Sequence, residues 1–134
     1  MTEENKFSIL FVDDDSFLVD MYSLKFSQAG HRVQAAQSGE EALEKLKVSG
    51  FSPDAVVFDL VMPKMDGYEL LKQIKEQHLA PGAALVALSN QSERESIAKV
   101  EALGATKHII KANAIPSEVL EMVEEAIKEV KKEA

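Results

Sequence analysis

The chain contains no cysteine, and this absence removes several kinds of chemistry at once. Disulfide bonds, thiol nucleophiles and zinc sites with thiolate ligands are all excluded. The sequence also has no apolar stretch near the roughly 18 residues that a membrane-spanning helix requires. Residues 1–7 lack the basic and apolar regions of a secretory signal peptide. We therefore expect a cytoplasmic protein that does not enter a membrane.

Basic residues are in the minority, since 15 Lys and Arg stand against 23 Asp and Glu, for a net charge of −8. A chain with this balance is repelled by nucleic-acid phosphates and anionic lipids, so we expect no direct binding to either. Its length of 134 residues suits one domain with a full core. No linker, repeat or low-complexity segment divides it.

Short, continuous apolar runs alternate with segments of helical pattern along the chain. Such runs are typical of parallel strands that are buried on both faces. We predict strands near residues 7–12, 32–36, 54–58, 84–88 and 107–110, and helices near 16–29, 39–49, 67–78, 92–103 and 117–131. This fivefold alternation of strand and helix predicts a doubly wound parallel sheet with right-handed crossovers.

Local signals mark the ends of several predicted helices. Capping-box spacing, or a close variant of it, occurs in the pairs Ser38–Glu41, Ser92–Glu95 and Asp66–Glu69. Three glycines stand where helices should stop, namely Gly30, Gly50 and Gly104.

Four of the predicted strands end at polar residues of the kind that bind metal or phosphate. They are Asp13, Asp14 and Asp15 after the first strand, Asp59 after the third, Ser89 after the fourth and Lys111 after the fifth. Parallel strands place their carboxyl ends at one edge of the sheet, where open α/β sheets bind ligands. The first and third strands are the richest in apolar residues. We therefore place them side by side at the centre, which brings Asp13, Asp14 and Asp59 together.

Clustered side chains of these types are suited to phosphoryl transfer. Carboxylates a few ångströms apart repel one another, so the cluster holds either protons or a cation. At an open edge, Mg²⁺ suits two or three carboxylates with space for phosphate oxygens. The Lys111 ammonium and the Ser89 hydroxyl can each bind a phosphate oxygen. An aspartate carboxylate can itself be the nucleophile and form an acyl phosphate.

The motifs resemble the receiver domain of bacterial two-component response regulators over about residues 6–130. They are Phe11–Ser16, Asp59–Gly67, Ala87–Ser89, and Gly104–Thr106 leading to Lys111. The string Asp-x-x-Met-Pro-x-Met-Asp-Gly after a buried strand is highly specific. The resemblance implies a (βα)₅ flavodoxin-like fold with strand order 2-1-3-4-5. We expect one receiver domain over residues 1–134 with no output domain in this chain, either a stand-alone regulator or a fragment.

The resemblance also implies a set of chemical roles. Asp59 would accept a phosphoryl group from the phosphohistidine of a sensor histidine kinase or a histidine phosphotransfer protein. Mg²⁺ would be bound directly by Asp14, mostly through a water by Asp13, and by Asp59 and the backbone carbonyl of Val61. Such a domain catalyses its own phosphorylation and slow dephosphorylation, but it is primarily a signalling switch.

Switching is implied to begin at the phosphoryl oxygens, which Ser89 and Lys111 would contact. Ser89 and His108 would form the switch pair. The face made by the fourth helix, the fifth strand and the fifth helix would then repack and bind a downstream protein target. Asp15 is interpreted as the cap of the first helix, and the loop of residues 62–67 as structural.

The sequence departs from the receiver pattern at three positions. Lys111 is followed by Ala112, where receivers usually have proline with a cis peptide bond. A cis bond without proline costs about 2.5–4 kcal/mol, so this loop is either trans or strained. Asn90 stands where a small residue is common, which narrows access to the phosphate. His108 replaces the usual Tyr or Phe, so its movement would depend on pH; the alternative is an ordinary surface histidine.

Two other hypotheses remain open. These three departures also fit a pseudo-receiver that binds a partner without being phosphorylated. A phosphohydrolase of the haloacid dehalogenase type is the other alternative, because Asp13-x-Asp15 resembles its nucleophile motif and Ser89 its second motif. Against it, Phe17 stands where that family has Thr or Val, and the loop of residues 62–67 would have no role. The sequence identifies neither the kinase, nor the target, nor the oligomeric state.

Overall fold

In a computed structural model, which describes residues 6–91 and 93–133, strands and helices alternate as predicted. The strands are β1 (Ser8–Val12), β2 (Arg32–Ala36), β3 (Ala55–Phe58), β4 (Ala84–Ser89) and β5 (Lys107–Ile110). The helices are α1 (Ser16–Gln28), α2 (Gly39–Leu46), α3 (Gly67–Glu76), α4 (Arg94–Ala102) and α5 (Pro116–Glu133). Within this described part of the chain, no helix has the length and apolar character needed to cross a membrane.

All five strands pair in parallel, in the order β2-β1-β3-β4-β5. The predicted fold class and strand order are therefore confirmed. The order reverses between β1 and β3, whose last residues Val12 and Phe58 lie opposite each other. This point is the crevice in which doubly wound sheets bind ligands.

The sheet is buried on both faces, which is why its central strands are continuous apolar runs. Every residue of β3 and β4 is buried, whereas the edge strand β2 is largely accessible. Alternate side chains enter two separate cores. Leu10 and Phe58 pack in the core that α2, α3 and α4 cover, and Phe11 and Val57 in the core beneath α1 and α5.

Side chains close three of the helix starts. The Asp15 carboxylate accepts hydrogen bonds from the second and third N–H groups of α1, at 3.0 and 3.3 Å. Ser38 caps α2 at 3.0 Å and Asp66 caps α3 at 2.8 Å. The capping roles predicted for these three residues are confirmed. Ser92, which was predicted to cap the fourth helix, lies outside the described residues.

The end of α2 differs from the prediction, because the helix stops at Leu46 and not near residue 49. The Lys47 N–H is shared between the Leu43 carbonyl, four residues back at 3.1 Å, and the Glu44 carbonyl, three residues back at 3.2 Å. The Val48 N–H donates only three residues back, to the Lys45 carbonyl at 3.2 Å. The chain thus tightens into 3₁₀-type turns before it reaches the glycine at position 50. Apolar periodicity does not register this change of hydrogen-bond step.

Candidate functional site

The site is built where β1 and β3 end beside each other. The Asp59 N–H donates to the Val12 carbonyl at 3.0 Å, so the ladder between the two strands continues up to the acidic residues. Asp13 is buried, Asp59 is half-buried and Asp14 is exposed. One carboxylate oxygen from each of these three residues lies within 4.8 Å of the other two. The structure therefore brings together the acids that the sequence placed at one edge.

In the part of the chain that the structure describes, one ammonium contacts these carboxylates, that of Lys111. The Lys111 Nζ donates to Asp13 Oδ2 at 2.8 Å and to Asp59 Oδ2 at 3.3 Å. The three side chains involved are only 11–14% exposed, so this is a partly desolvated cluster. Three acids and one ammonium leave an excess of negative charge. An oxygen-rich, negative site of this kind fits a hard divalent cation such as Mg²⁺.

Burial and neighbouring charges shift the pKa values in this cluster. Desolvation is the largest influence on Asp59 and raises the pKa of its carboxyl; the Lys111 charge opposes it, and the Asp13 charge adds to it. Desolvation alone would lower the pKa of Lys111. The hydrogen bond that Lys111 donates to Asp13 and the charges of Asp59 and Asp13 outweigh it, so that the pKa of Lys111 rises. The Lys111 ammonium therefore stays charged. Its positive charge in turn favours the ionised form of the neighbouring Asp59 carboxyl.

The loop after β3 fixes the Asp59 carboxylate. Its Oδ1 accepts from the Leu60 N–H at 2.7 Å and more weakly from the Val61 N–H at 3.4 Å, which leaves Oδ2 toward Lys111. Gly67 packs against this loop, and a Cβ there would clash with the Asp59 carbonyl oxygen. Only glycine permits this close approach, and this explains the Asp-Gly pair that ends the motif.

Ser89 is the last residue of β4, the strand that pairs with β3, and it is completely buried. Its Oγ accepts the Gln91 N–H at 2.9 Å. An open cleft of about 330 Å³ lies above this turn. Its walls are Asp59, Val61, Ser89, Asn90, Gln91 and Lys111. The predicted hydroxyl and ammonium therefore share one cleft with the central carboxylate.

The loop after β5 takes a form that the sequence left open. No peptide bond in the described ranges is cis, so the bond between Lys111 and Ala112 is trans. Residues 111–113 form a single 3₁₀ turn. The Ala112 N–H donates to the Asn90 Oδ1 at 3.0 Å. The sequence marks residues 90 and 112 as separate departures; only the fold shows that they contact each other.

His108 lies on β5 opposite Ala87 of β4. Its neighbour Ile109 enters the core beneath α1 and α5, so the histidine faces the α4 side of the sheet. Both ring nitrogens are buried and find no hydrogen-bond partner among the described residues. Burial is the main influence and lowers the pKa of His108, while the charge of Glu101 on α4 opposes the shift. The ring is thus partly enclosed and is not a fully exposed surface group.

A small apolar void beneath the acids is a feature that the sequence did not predict. It measures about 10 Å³ and is walled by Asp13 and Asp59 together with apolar side chains and Tyr22 of α1. Burial raises the pKa of the Tyr22 hydroxyl, with Lys111 opposing and Asp13 adding to the shift. Tyr22 belongs to the buried stripe of α1 with Val19 and Phe26, and helical spacing alone marks it as core.

Comparison with known proteins gives a consistent result. Residues 9–124 match the family model described as the response regulator receiver domain. The chain is 31% identical to the chemotaxis protein CheY of Thermotoga maritima over 121 residues, which are 90% of this chain and 97% of that one. It is 34% identical over 103 residues to the alkaline phosphatase synthesis transcriptional regulatory protein PhoP of Bacillus subtilis, covering 77% of this chain and 41% of that protein. It likewise spans about two fifths, 41–42%, of the length of the proteins named probable transcriptional regulator ycf27 from Guillardia theta and Porphyridium aerugineum.

Solved structures show the same architecture. A CheY-like receiver domain protein from Methanospirillum hungatei superposes with a TM-score of 0.85 at 28% identity, covering 95% of this chain and 98% of that one. The chemotaxis protein CheY4 of Vibrio cholerae gives a TM-score of 0.82 at 28% identity, with 90% and 98% covered.

Proposed function

This chain belongs to the family of response regulator receiver domains, and we propose that it is a switch controlled by phosphorylation of Asp59. The observation that carries the proposal is the contact of one Asp59 oxygen with Lys111 while the other is held by backbone N–H groups. A carboxylate so oriented, at the floor of an open cleft, suits in-line attack on phosphorus.

In the proposed reaction an Asp59 oxygen attacks the phosphorus of a phosphohistidine on a sensor histidine kinase or a histidine phosphotransfer protein. An O–P bond forms as the P–N bond breaks, and the departing imidazole keeps the electron pair. The product is an acyl phosphate on Asp59. Lys111 and the Ser89 hydroxyl bind the phosphoryl oxygens, where charge gathers during the transfer. Hydrolysis of the acyl phosphate by water later resets the domain.

We propose that Asp13, Asp14, Asp59 and the backbone carbonyl of Val61 hold Mg²⁺. The mutual approach of three carboxylate oxygens within 4.8 Å supports this assignment. When bound, the ion supplies neutralising charge for the acids and for the incoming phosphoryl group. The protein's own contribution is to keep Asp13 and Asp59 on adjacent strand ends, while exposed Asp14 remains free to turn toward a cation.

The proposed signal passes through Ser89 to the face formed by α4, β5 and α5. The Ser89 Oγ now accepts the Gln91 N–H, and its own O–H would donate to a phosphoryl oxygen when the side chain moves toward it. Movement of this buried residue alters the space behind it, which His108 on the adjoining strand can occupy. The repacked face would bind a downstream protein. We place the chain in the cytoplasm, with residues 6–130 as one receiver unit and no direct contact with nucleic acid.

One alternative function retains a specific observation in its favour. A pseudo-receiver, which binds a partner without being phosphorylated, fits the unusual Asn90, His108 and Ala112. Against it, the proposed phosphoacceptor Asp59 and the proposed phosphate-binding Lys111 are both present and in contact. Against the phosphohydrolase hypothesis, the Asp15 Oδ1 caps α1, and Asp15 is not among the three carboxylates that cluster.

The test is labelling with acetyl phosphate and Mg²⁺, followed by intact-mass spectrometry. Wild type should gain one phosphoryl group, and Asp59→Asn should gain none. Asp54→Asn is the matched control, since Asp54 precedes β3 as Asp59 follows it. It should be labelled like wild type. Equal labelling of wild type and Asp59→Asn would place the acceptor elsewhere, and no labelling of either would favour the pseudo-receiver. Rapid turnover of the donor without an adduct would favour the hydrolase.

A further inference from the structure

Two loops that flank the cleft are joined by one hydrogen bond across 22 residues of sequence. The first loop begins with Asn90, directly after Ser89, the last residue of β4. The second follows β5 and begins with Lys111 and Ala112. The bond runs from the Ala112 N–H to the Asn90 Oδ1, at 3.0 Å. It therefore connects the residue after the proposed switch hydroxyl to the residue after the proposed phosphate-binding ammonium.

Both residue types are needed for this bond. Alanine at 112 carries the N–H, which proline lacks. Asparagine at 90 carries the acceptor oxygen, which a small apolar residue lacks. The trans peptide between Lys111 and Ala112 and the 3₁₀ turn that follows present this N–H to the neighbouring loop. The two unusual residues thus form a matched pair, in which each supplies what the other requires.

The bond acts at the backbone from which the lysine side chain extends. The Lys111 ammonium holds its place by contacts to two carboxylates, at 2.8 and 3.3 Å. A restrained backbone lowers the conformational entropy that is lost when a long, flexible side chain is held in such a position. A proline ring at position 112 would restrict this backbone. Here the side-chain amide of Asn90, from the loop after β4, restrains it.

We propose that Asn90 is a positioning residue: its amide oxygen holds the Ala112 N–H and thereby sets the Lys111 ammonium against Asp13 and Asp59. Because Asn90 adjoins Ser89, a shift of Ser89 toward a phosphoryl group also moves the backbone at Lys111. The two phosphate contacts are in this way coupled through one hydrogen bond. The catalytic part of this inference rests on the function proposed above, whereas the tether itself does not.

The first experiment measures the tether in the metal-free protein by NMR. Asn90→Ala should speed hydrogen exchange of the Ala112 amide by about two- to tenfold, the range that one net hydrogen bond supports. It should also shift the Lys111 Cε–Hε resonances. Asn90→Asp keeps an acceptor oxygen and should retain slow exchange. Asn113→Ala removes an exposed amide from the same loop and should change neither signal.

The second experiment measures coupling to the reaction. The rate of phosphorylation by acetyl phosphate with Mg²⁺ should fall by about two- to tenfold in Asn90→Ala. Ala112→Pro removes the donor of the same bond. Asn90→Ala should therefore reduce the phosphorylation rate by a smaller factor in the Ala112→Pro background than in wild type. This non-additivity is the expected result of a double-mutant cycle on two residues in contact.

Different failures have different meanings. Unchanged exchange of Ala112 in Asn90→Ala, or fully additive effects in the cycle, would overturn the proposal. Faster exchange with wild-type Lys111 resonances and a wild-type rate would reduce the bond to a structural contact, and it too would overturn the positioning role. If wild type takes no phosphoryl group, the proposed function fails. The Lys111 resonances then still decide the inference. If Ala112→Pro does not fold, Asn90→Ala and its two controls decide it alone.

Discussion

Strand β3 begins beside one aspartate and ends beside another, and the two carboxylates have different surroundings. Asp54, before the strand, accepts the Ser8 N–H at 2.8 Å and pairs with the Lys131 ammonium, also at 2.8 Å. Asp59, after the strand, shares one ammonium with Asp13. The first end of the strand is balanced in charge and joins β1 and α5 to β3. The second end carries excess negative charge beside an open cleft, and it is therefore the end able to bind a cation.

The two enclosed histidines repeat this contrast. His31 lies near the amino ends of the strands, where its Nδ1 accepts the Phe7 N–H at 3.0 Å and its Nε2 meets Glu124 at 2.8 Å. Because Nδ1 is an acceptor, the neutral ring carries its proton on Nε2 and donates it to the carboxylate. His108 has no partner for either nitrogen among the described residues. Hydrogen bonds at both ring nitrogens of His31 link separate parts of the fold. No such bonds from the described part of the chain hold the His108 ring in place, so it can change position.

The largest expected effect is on the response to phosphorylation, which should depend on Lys111 and not on Lys131. Lys111→Met should keep the fold but lower the ratio of active to inactive conformer after phosphorylation by about ten- to a hundredfold, because a hydrogen bond to a charged group contributes about 1.5–3 kcal/mol. Lys131→Met removes the ammonium at the balanced end and should leave the response intact. NMR spectra with and without phosphodonor measure both. A full wild-type response in Lys111→Met would remove the proposed role of this residue.

The second test concerns the satisfied histidine. His31→Leu leaves the buried Phe7 N–H without an acceptor, so the free energy of unfolding should fall by about 1–3 kcal/mol in urea denaturation. Phosphorylation of the remaining folded protein should proceed at the wild-type rate. Slower phosphorylation with unchanged stability would contradict the assignment of this end of the sheet to stability alone.

A third test addresses the excess negative charge. Asp14→Asn should weaken Mg²⁺ binding by about tenfold or more. It should also raise the stability of the metal-free protein, since one of three neighbouring like charges is gone. Asp15→Asn is the matched control, because asparagine caps a helix as well as aspartate does. A Mg²⁺ titration that gives Asp14→Asn the wild-type affinity would move the metal site elsewhere.

The smallest expected effect comes from His108. Its folded-state pKa is lowered by burial, so the enclosed ring favours the neutral form. The unfolded chain then binds more protons as pH falls below the ordinary histidine value near 6.5, and stability decreases through that range. The enclosed rotamer, and with it target binding, should weaken in the same direction. Glu101 opposes this trend.

The measurement is NMR of the phosphorylated form between about pH 5.5 and 8, the range of histidine titration. His108→Tyr should keep switching and lose this component of the pH dependence. The unusual residue would have no switching role if its ring environment proved the same with and without phosphate at every pH.

Much of this molecule follows from local sequence. The apolar runs, together with the caps Asp15, Ser38 and Asp66, correctly predict the elements, because burial and capping depend on residues near one another in the chain. The end of α2 was predicted three residues too late. After Leu46 the hydrogen bonds shift from carbonyls four residues back to carbonyls three residues back, and apolar spacing does not reveal this shift. The Asp-Gly pair of the β3 loop also has a local cause, although its close approach to Asp59 becomes visible only in the fold.

By itself, the sequence determined that three acids, a hydroxyl and an ammonium would meet at one edge, because parallel strands must place their carboxyl ends together. Only the tertiary structure decided how they meet. Lys111 reaches Asp13 across 98 residues of sequence, and the Ala112 N–H reaches Asn90 across 22. It also decided that both ring nitrogens of His31 have hydrogen-bond partners, whereas those of His108 have none among residues 6–91 and 93–133. Such contacts depend on the positions of side chains from separate elements within a few tenths of an ångström, which local propensity and spacing do not specify.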